Sequence, residues 1–192
     1  MQFLKKMNRL LIKNINIINE GIKTSGDIYI EGEFIKKIGV DLTFDNEIKI
    51  IDGNGRIAIP GMIDDQVHFR EPGLTHKGDI SSESKAAIAG GVTSYFEMPN
   101  TFPNTTSRKE FKKKIQIASK NSFANFSFMF GGTNDNIDEI KKLDDKDVAG
   151  IKLFLGSSTG KMLIDNKDSI EKIFKSTSLP ISAHCEDEQT IK

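Results

Sequence analysis

After Ile59 the chain settles into a single rhythm, and that rhythm limits the fold more than any other feature. Short apolar runs alternate with helical patterns. A strand pattern over 62–68 is followed by a helical one over 82–89, closed by Gly90-Gly91, and then by a strand over 92–98 ending at Pro99. Ser107 is placed to N-cap a helix reaching about residue 121, with Phe111, Ile115 and Ala118 at helical spacing. Strands over 123–130, 150–155 and 179–184 then alternate with helices over 137–143 and 169–175. Strands alternating with helices build parallel βα units. The prediction is an α/β fold: the first five βα units of a partial TIM-type β/α barrel, which when complete takes eight units and ~250 residues.

Before that point the pattern is different. Residues 27–35 alternate as a strand does and are broken by a Gly-containing turn, a hairpin signal. Residues 47–51 form another short strand, followed by the turn Asp52-Gly53-Asn54-Gly55. The expected organisation is therefore 1–58 as part of a small β-sandwich domain and 59–192 as the N-terminal part of the barrel, stopping directly after the fifth strand.

Charge excludes several classes of partner. Twenty-seven basic residues balance 27 acidic ones, which gives no attraction to nucleic acid or to a membrane surface. No run of ~20 apolar residues offers a membrane span, and Lys13 and Asn14 interrupt the one apolar N-terminal run, against a signal peptide. The single cysteine, Cys185, excludes an internal disulfide, is expected to pack rather than react, and suits a reducing, cytoplasmic compartment. The run Lys112-Lys113-Lys114 reads as a solvated helix face.

Chemistry in a parallel barrel gathers at the C-terminal ends of its strands. The first strand leads into Asp64-Asp65-Gln66-Val67-His68-Phe69-Arg70, bounded by Pro60-Gly61 and Pro72-Gly73. Alternation points Asp64, Gln66, His68 and Arg70 to one face. The second strand leads to Asn100, the fourth carries Lys152 and the fifth ends at His184. Two imidazoles from different strands but one rim suit a divalent metal, though two ligands fall short of a site, and two separately hydrogen-bonded histidines remain the alternative. Lys152 interrupts the apolar run Gly150-Ile151-Lys152-Leu153-Phe154-Leu155. An ammonium there must find a partner, such as a carboxylate, or lose its proton; the neutral amine could then capture carbon dioxide as a metal-binding carbamate. Arg70 and Asn100 could hold a substrate carboxylate, the alternative for Arg70 being a salt bridge to Glu71 or Asp79. Gly156-Ser157-Ser158-Thr159-Gly160 lacks the spacing and the Gly-Lys-Ser/Thr ending of a phosphate loop, so nucleotide binding is rejected.

Together these segments resemble the cyclic amidohydrolases, and among them the dihydroorotases. The resemblance runs from about Pro60 to the end, through Pro60-Gly61-Met62-Ile63-Asp64, His68-Phe69-Arg70-Glu71-Pro72-Gly73, Gly90-Gly91-Val92-Thr93 and Met98-Pro99-Asn100-Thr101. It implies zinc, one ion or two, with His68 and His184 as ligands and Lys152 as the lysine that, when carboxylated, bridges two metals in many members. It implies that Arg70 and Asn100 hold the carboxylate of dihydroorotate. The implied reaction is reversible closure of N-carbamoyl-L-aspartate to dihydroorotate in pyrimidine synthesis. The expected partner is that small-molecule substrate, with homo-oligomerisation left open. Gln66 stands where the family's Asp-x-His-x-His strand has its first histidine. A further histidine and the catalytic aspartate are expected beyond Lys192, so this piece is expected to be inactive alone. The alternatives are another cyclic amidohydrolase (an allantoinase or hydantoinase), or a non-catalytic homologue serving as structural partner of aspartate carbamoyltransferase.

Overall fold

The computed structural model describes residues 9–44, 47–143, 146–156, 162–186 and 190. The chain forms two compact units, Met1–Pro60 and Gly61–Lys192.

The first unit is β-structure, as one five-stranded sheet. Strands β1 (Arg9–Asn19), β2 (Ile22–Glu31), β3 (Phe34–Gly39) and β4 (Lys49–Asp52) lie in the order β3-β2-β1-β4, and β5 (Ile57–Ala58) also pairs with β1. β1–β2 and β2–β3 are antiparallel, and β4 and β5 run parallel to β1. The β2–β3 turn passes through Gly32 at φ +62°, backbone that glycine adopts without steric cost. Leu11, Tyr29 and Leu42 are its buried cluster, and Phe44 packs on Tyr29 at 4.2 Å between ring centroids. Buried Asp27 is satisfied by the backbone N–H groups of Asn14 (3.0 Å) and Leu42 (2.9 Å).

The second unit has the predicted alternation: β6 (Met62–Val67), α1 (Ile80–Ala89), β7 (Val92–Glu97), α2 (Arg108–Asn121), β8 (Asn125–Gly131), α3 (Ile137–Ile140), β9 (Gly150–Phe154), α4 (Lys167–Ser176) and β10 (Ile181–His184). The strands run in the order β10-β9-β8-β7-β6, with every neighbouring pair parallel. This is the early part of a β/α barrel. Side-chain caps set three helix starts. Asp79 accepts from Ser82 N (2.8 Å), Ser107 from Glu110 N (3.3 Å) and Asn166 from Ser169 N (3.0 Å). The Asp79 and Asn166 caps start α1 and α4 two residues earlier than the apolar periodicity alone suggests.

Aromatic and branched side chains fill the space between sheet and helices. Tyr95, Phe128, Phe130, Ile151 and Leu153 from the strands meet Phe111, Ala118 and Ile173 from the helices. β9 is buried at every position, as its apolar run predicts.

Three expectations need correction. The first strand ends at Val67, with register shifts against β7, and Arg70 lies at φ +71°. The alternation therefore does not extend as far as Arg70, because Phe69 turns into the core against Tyr95, 4.5 Å between centroids. Lys114 is not part of a solvated face: it is fully buried, on the side of α2 that carries Phe111 and Ala118. Cys185 is exposed rather than packed, because β10 ends at His184. Residues 157–160 lie outside the described residues. Among the described residues no helix is long and apolar enough to cross a membrane.

Phe130 is wholly buried and meets Phe111 at 6.2 Å between centroids. Phe130→Ala is expected to cost ~3–5 kcal/mol of stability in the full-length protein that carries this chain. Urea unfolding measures it, and a loss below ~1 kcal/mol would show that the site collapses around the truncation.

Candidate active site

The first two strands deliver their functional groups to one loop junction. Phe69 is committed to the core, and His68 and Arg70 flank it. His68 Nδ1 lies 2.9 Å from Asn100 Oδ1, and Arg70 Nη1 donates to the Asn100 backbone carbonyl at 3.2 Å. Asn100 itself is only 6% exposed. Its loop is held from several sides: Met98 N donates to Val67 O at 3.0 Å, Thr105 N to Pro99 O at 2.9 Å, and Thr101 Oγ1 to Pro103 O at 2.9 Å. Arg70 makes no salt bridge to Glu71 or Asp79 among the described residues. Glu71 instead accepts from Ile80 N at 2.9 Å, and Asp79 caps α1.

Beneath this junction lies a pair absent from the sequence-based candidates. Glu97, the last residue of β7, is 0% exposed. Its Oε1 accepts from Arg70 N at 2.9 Å, and its Oε2 lies 3.0 Å from Lys114 Nζ. Lys114, also 0% exposed, donates to the Met98 carbonyl at 2.9 Å and sits 5.0 Å above the Phe128 ring. Burial pushes the Glu97 carboxyl above its ordinary range, and the Lys114 charge opposes that. Burial pulls Lys114 down, and Glu97 opposes it. The sequence does carry a signal for each. Glu97 is an acid ending an apolar strand, and Lys114 stands three residues after Phe111 and four before Ala118, on the core stripe.

Lys152 is 3% exposed and has no carboxylate partner among the described residues. It donates to Gln66 Oε1 at 3.2 Å and to Ser182 Oγ at 3.3 Å, and stands 5.4 Å above the Phe154 ring. Ser182 is its register partner on β10. Gln66 lies on β6, three ladder steps away, ~14 Å along a flat sheet at ~4.8 Å per step. The contact therefore requires the sheet to curl, bringing the side chains of β6 and β9 together across its concave face. Burial lowers the Lys152 pKa, opposed by Cys185.

His184, at the end of β10, puts its Nε2 3.1 Å from Glu186 Oε1 and stacks on Phe154 at 6.3 Å between centroids. Lys152 and His184 thus share one aromatic neighbour. His68 and His184 come from the two outer strands of the sheet.

The donor chemistry fits a metal in part. Oxygens of an amide and of a carboxylate can only accept, so the nitrogens facing them, His68 Nδ1 and His184 Nε2, carry the protons. In the neutral form of each ring, His68 Nε2 and His184 Nδ1 then keep their lone pairs. An imidazole with one nitrogen held by an oxygen and the other free is the usual arrangement of a metal-ligating histidine. Among the described residues, however, no three His, Cys, Asp or Glu side chains gather. A third protein donor from this set would have to be Lys152 as a carbamate.

Comparison with known proteins identifies the family of the chain. Residues 55–190 match the family described as dihydro-orotase-like. This chain belongs to that family. It is 36% identical over 181 residues to a dihydroorotase of Methanosarcina mazei, covering 93% of this chain and 40% of that protein. It is 32% identical to an allantoinase of Desulfitobacterium hafniense, covering 95% of this chain and 42% of that one. Among solved structures, L-hydantoinase from Arthrobacter aurescens superposes with a TM-score of 0.89 at 28% identity, covering 96% of this chain and 42% of that one. The chain thus spans about two fifths of the length of these relatives, all of them named for action on cyclic amides.

Burial, chiefly, and then the Arg70 charge hold the His68 pKa below the usual histidine value; Asn100 opposes, and Lys152 and Lys114 add to the depression. The unfolded chain therefore binds this proton first. The contribution of His68 to stability is intact above the unfolded value of about 6.5 and declines as pH falls from there through the folded value. NMR titration of the full-length protein stripped of metal should place the His68 midpoint below that of a free histidine, and Arg70→Met should move it upward. A midpoint unmoved by that substitution would contradict the electrostatics described here.

Proposed function

We propose that the protein carrying this chain is a dihydroorotase, closing N-carbamoyl-L-aspartate to dihydroorotate and reopening it in pyrimidine synthesis. One observation carries the reading: Arg70 and Asn100 are locked together beside His68. The guanidinium presents a fork of donors that matches a carboxylate's two oxygens. Asn100, its side chain held by His68 and its carbonyl by Arg70, keeps that fork in register with the rim of the barrel. A carboxylate gripped there fixes the ring relative to the reacting amide, and orientation of this kind is a large part of rate enhancement.

His68, Lys152 and His184 are the residues of this chain proposed to hold zinc, one ion through the imidazoles or two if Lys152 is carboxylated. Zinc, when bound, supplies Lewis-acid polarisation of the ring amide and a water acidic enough to act near neutral pH. Asn100 and Glu186 hold the two imidazoles in the tautomers that leave a lone pair for it. Phe154 supplies a dry wall beside Lys152 and His184. The substrate is a small molecule, and an exposed, unpaired Cys185 is compatible with the cytoplasm.

Turnover of dihydroorotate, allantoin and hydantoin by the full-length protein tests the proposal. Dihydroorotate should be preferred, and preference for either of the others assigns the protein to that branch. Arg70→Ala should raise KM for dihydroorotate at least about tenfold, since one charged, oriented contact is lost.

Gln66 favours one second reading, a non-catalytic homologue partnering aspartate carbamoyltransferase, because an amide oxygen is a poorer zinc ligand than an imidazole. Metal analysis separates the two: at least one zinc per chain is expected, and less than one with no turnover supports the partner role. Gln66→His replaces the acceptor of Lys152 with a nitrogen ligand and should raise the zinc content per chain. An unchanged content would show that position 66 lies outside the metal's reach.

A further inference from the structure

The Glu97–Lys114 pair touches none of the side chains proposed to face the substrate, yet it holds the backbone of Arg70 and the backbone two residues before Asn100. Glu97 Oε1 holds the Arg70 N–H at 2.9 Å, at the residue whose backbone is at φ +71°. A non-glycine residue in that region keeps its conformation only where its surroundings impose it. Lys114 Nζ holds the Met98 carbonyl at 2.9 Å, two residues before Asn100. The two anchors are coupled at 3.0 Å with no exposure to water. Among the described residues nothing else serves Glu97 Oε2.

A pair kept only for stability is hard to account for here. Buried ion pairs cost about as much to desolvate as they return, and apolar replacements of similar volume are often neutral or better. The geometry it imposes is specific: one carboxylate and one ammonium, joined, determine where the Arg70 backbone turns and where the Met98-Pro99-Asn100 loop leaves β7.

We propose that Glu97 and Lys114 are positioning residues for substrate binding, a buried clamp that sets Arg70 and Asn100 at the spacing of a substrate carboxylate. The inference rests on the assignment of Arg70 and Asn100 to that carboxylate.

The test is made in the full-length enzyme with Glu97→Leu/Lys114→Met, which removes both charges together and keeps the volume apolar. The expected result is a folded protein with unchanged zinc content, KM for dihydroorotate raised about tenfold or more, and kcat within about threefold, because the grip is displaced while the reacting end is left alone. A folded variant with KM unchanged overturns the proposal, as does one in which kcat falls while KM holds. Glu97→Gln retains an acceptor for the Arg70 N–H and provides the conservative rescue, with KM within about threefold of the parent even where Tm drops. If the double variant does not fold, Glu97→Leu compared with Glu97→Gln decides the matter: KM raised about tenfold in the first but not in the second supports the clamp, and equal KM in both overturns it. Arg70→Ala is the control. If it leaves KM unchanged, or if the parent turns over no dihydroorotate, the carboxylate assignment fails and the clamp with it. If Arg70→Ala raises KM but the double variant does not, the clamp alone fails.

Discussion

A carboxylate shut away from water has to be answered on both oxygens, and Glu97 shows how much architecture that requirement can organise. One oxygen takes the N–H of Arg70 and the other takes the charge of Lys114. The first contact joins the loop after β6 to the end of β7, and the second joins β7 to α2. Removing one member alone would leave an uncompensated buried charge, at a cost of about 3–5 kcal/mol. The first two βα units are therefore tied together at the rim where their functional groups emerge, and the positions of Arg70, Met98 and Asn100 follow from that tie.

Curvature does at β9 what the ion pair does at β7. Lys152 finds one partner on its neighbour β10 and the other on β6, at the far edge of the sheet. Neither partner carries charge, so the ammonium is solvated by an amide oxygen, a hydroxyl and the face of Phe154. With no carboxylate to hold its charge among the described residues, and with burial lowering its pKa, this amine gives up its proton more easily than a salt-bridged lysine, which suits a residue proposed to take up carbon dioxide. The aromatic core beneath, from Tyr95 to Phe130, fills the space between the sheet and its helices.

Much of this was legible in the residues. The period change at Ile59, the Ser107 cap and the glycine pair after α1 mark elements that lie where the pattern puts them. Hydrophobic periodicity reports which way a chain faces, and it does so for any well-packed βα unit. It is silent where a polar group turns inward. Lys114 sits in a lysine run and looks solvated; only its spacing from Phe111 and Ala118 reveals the core stripe. The left-handed turn at Arg70 is invisible because arginine before Glu71-Pro72 reads as extended chain, and its backbone is imposed by a residue 27 positions away. Gln66 reads as a lost ligand in the sequence, whereas the structure shows it as the acceptor for Lys152, a relation spanning 86 residues that no local pattern encodes.

Gly73 carries a consequence for how proteins of this kind diverge. It lies at φ +85°, and a Cβ there would collide with the Phe102 carbonyl, so the loop after β6 and the loop after β7 meet backbone against backbone. Their mating surface leaves no room for a side chain as a spacer. Neither loop can be exchanged or lengthened independently of the other, and a graft of specificity between cyclic amidohydrolases would have to carry both as one matched module.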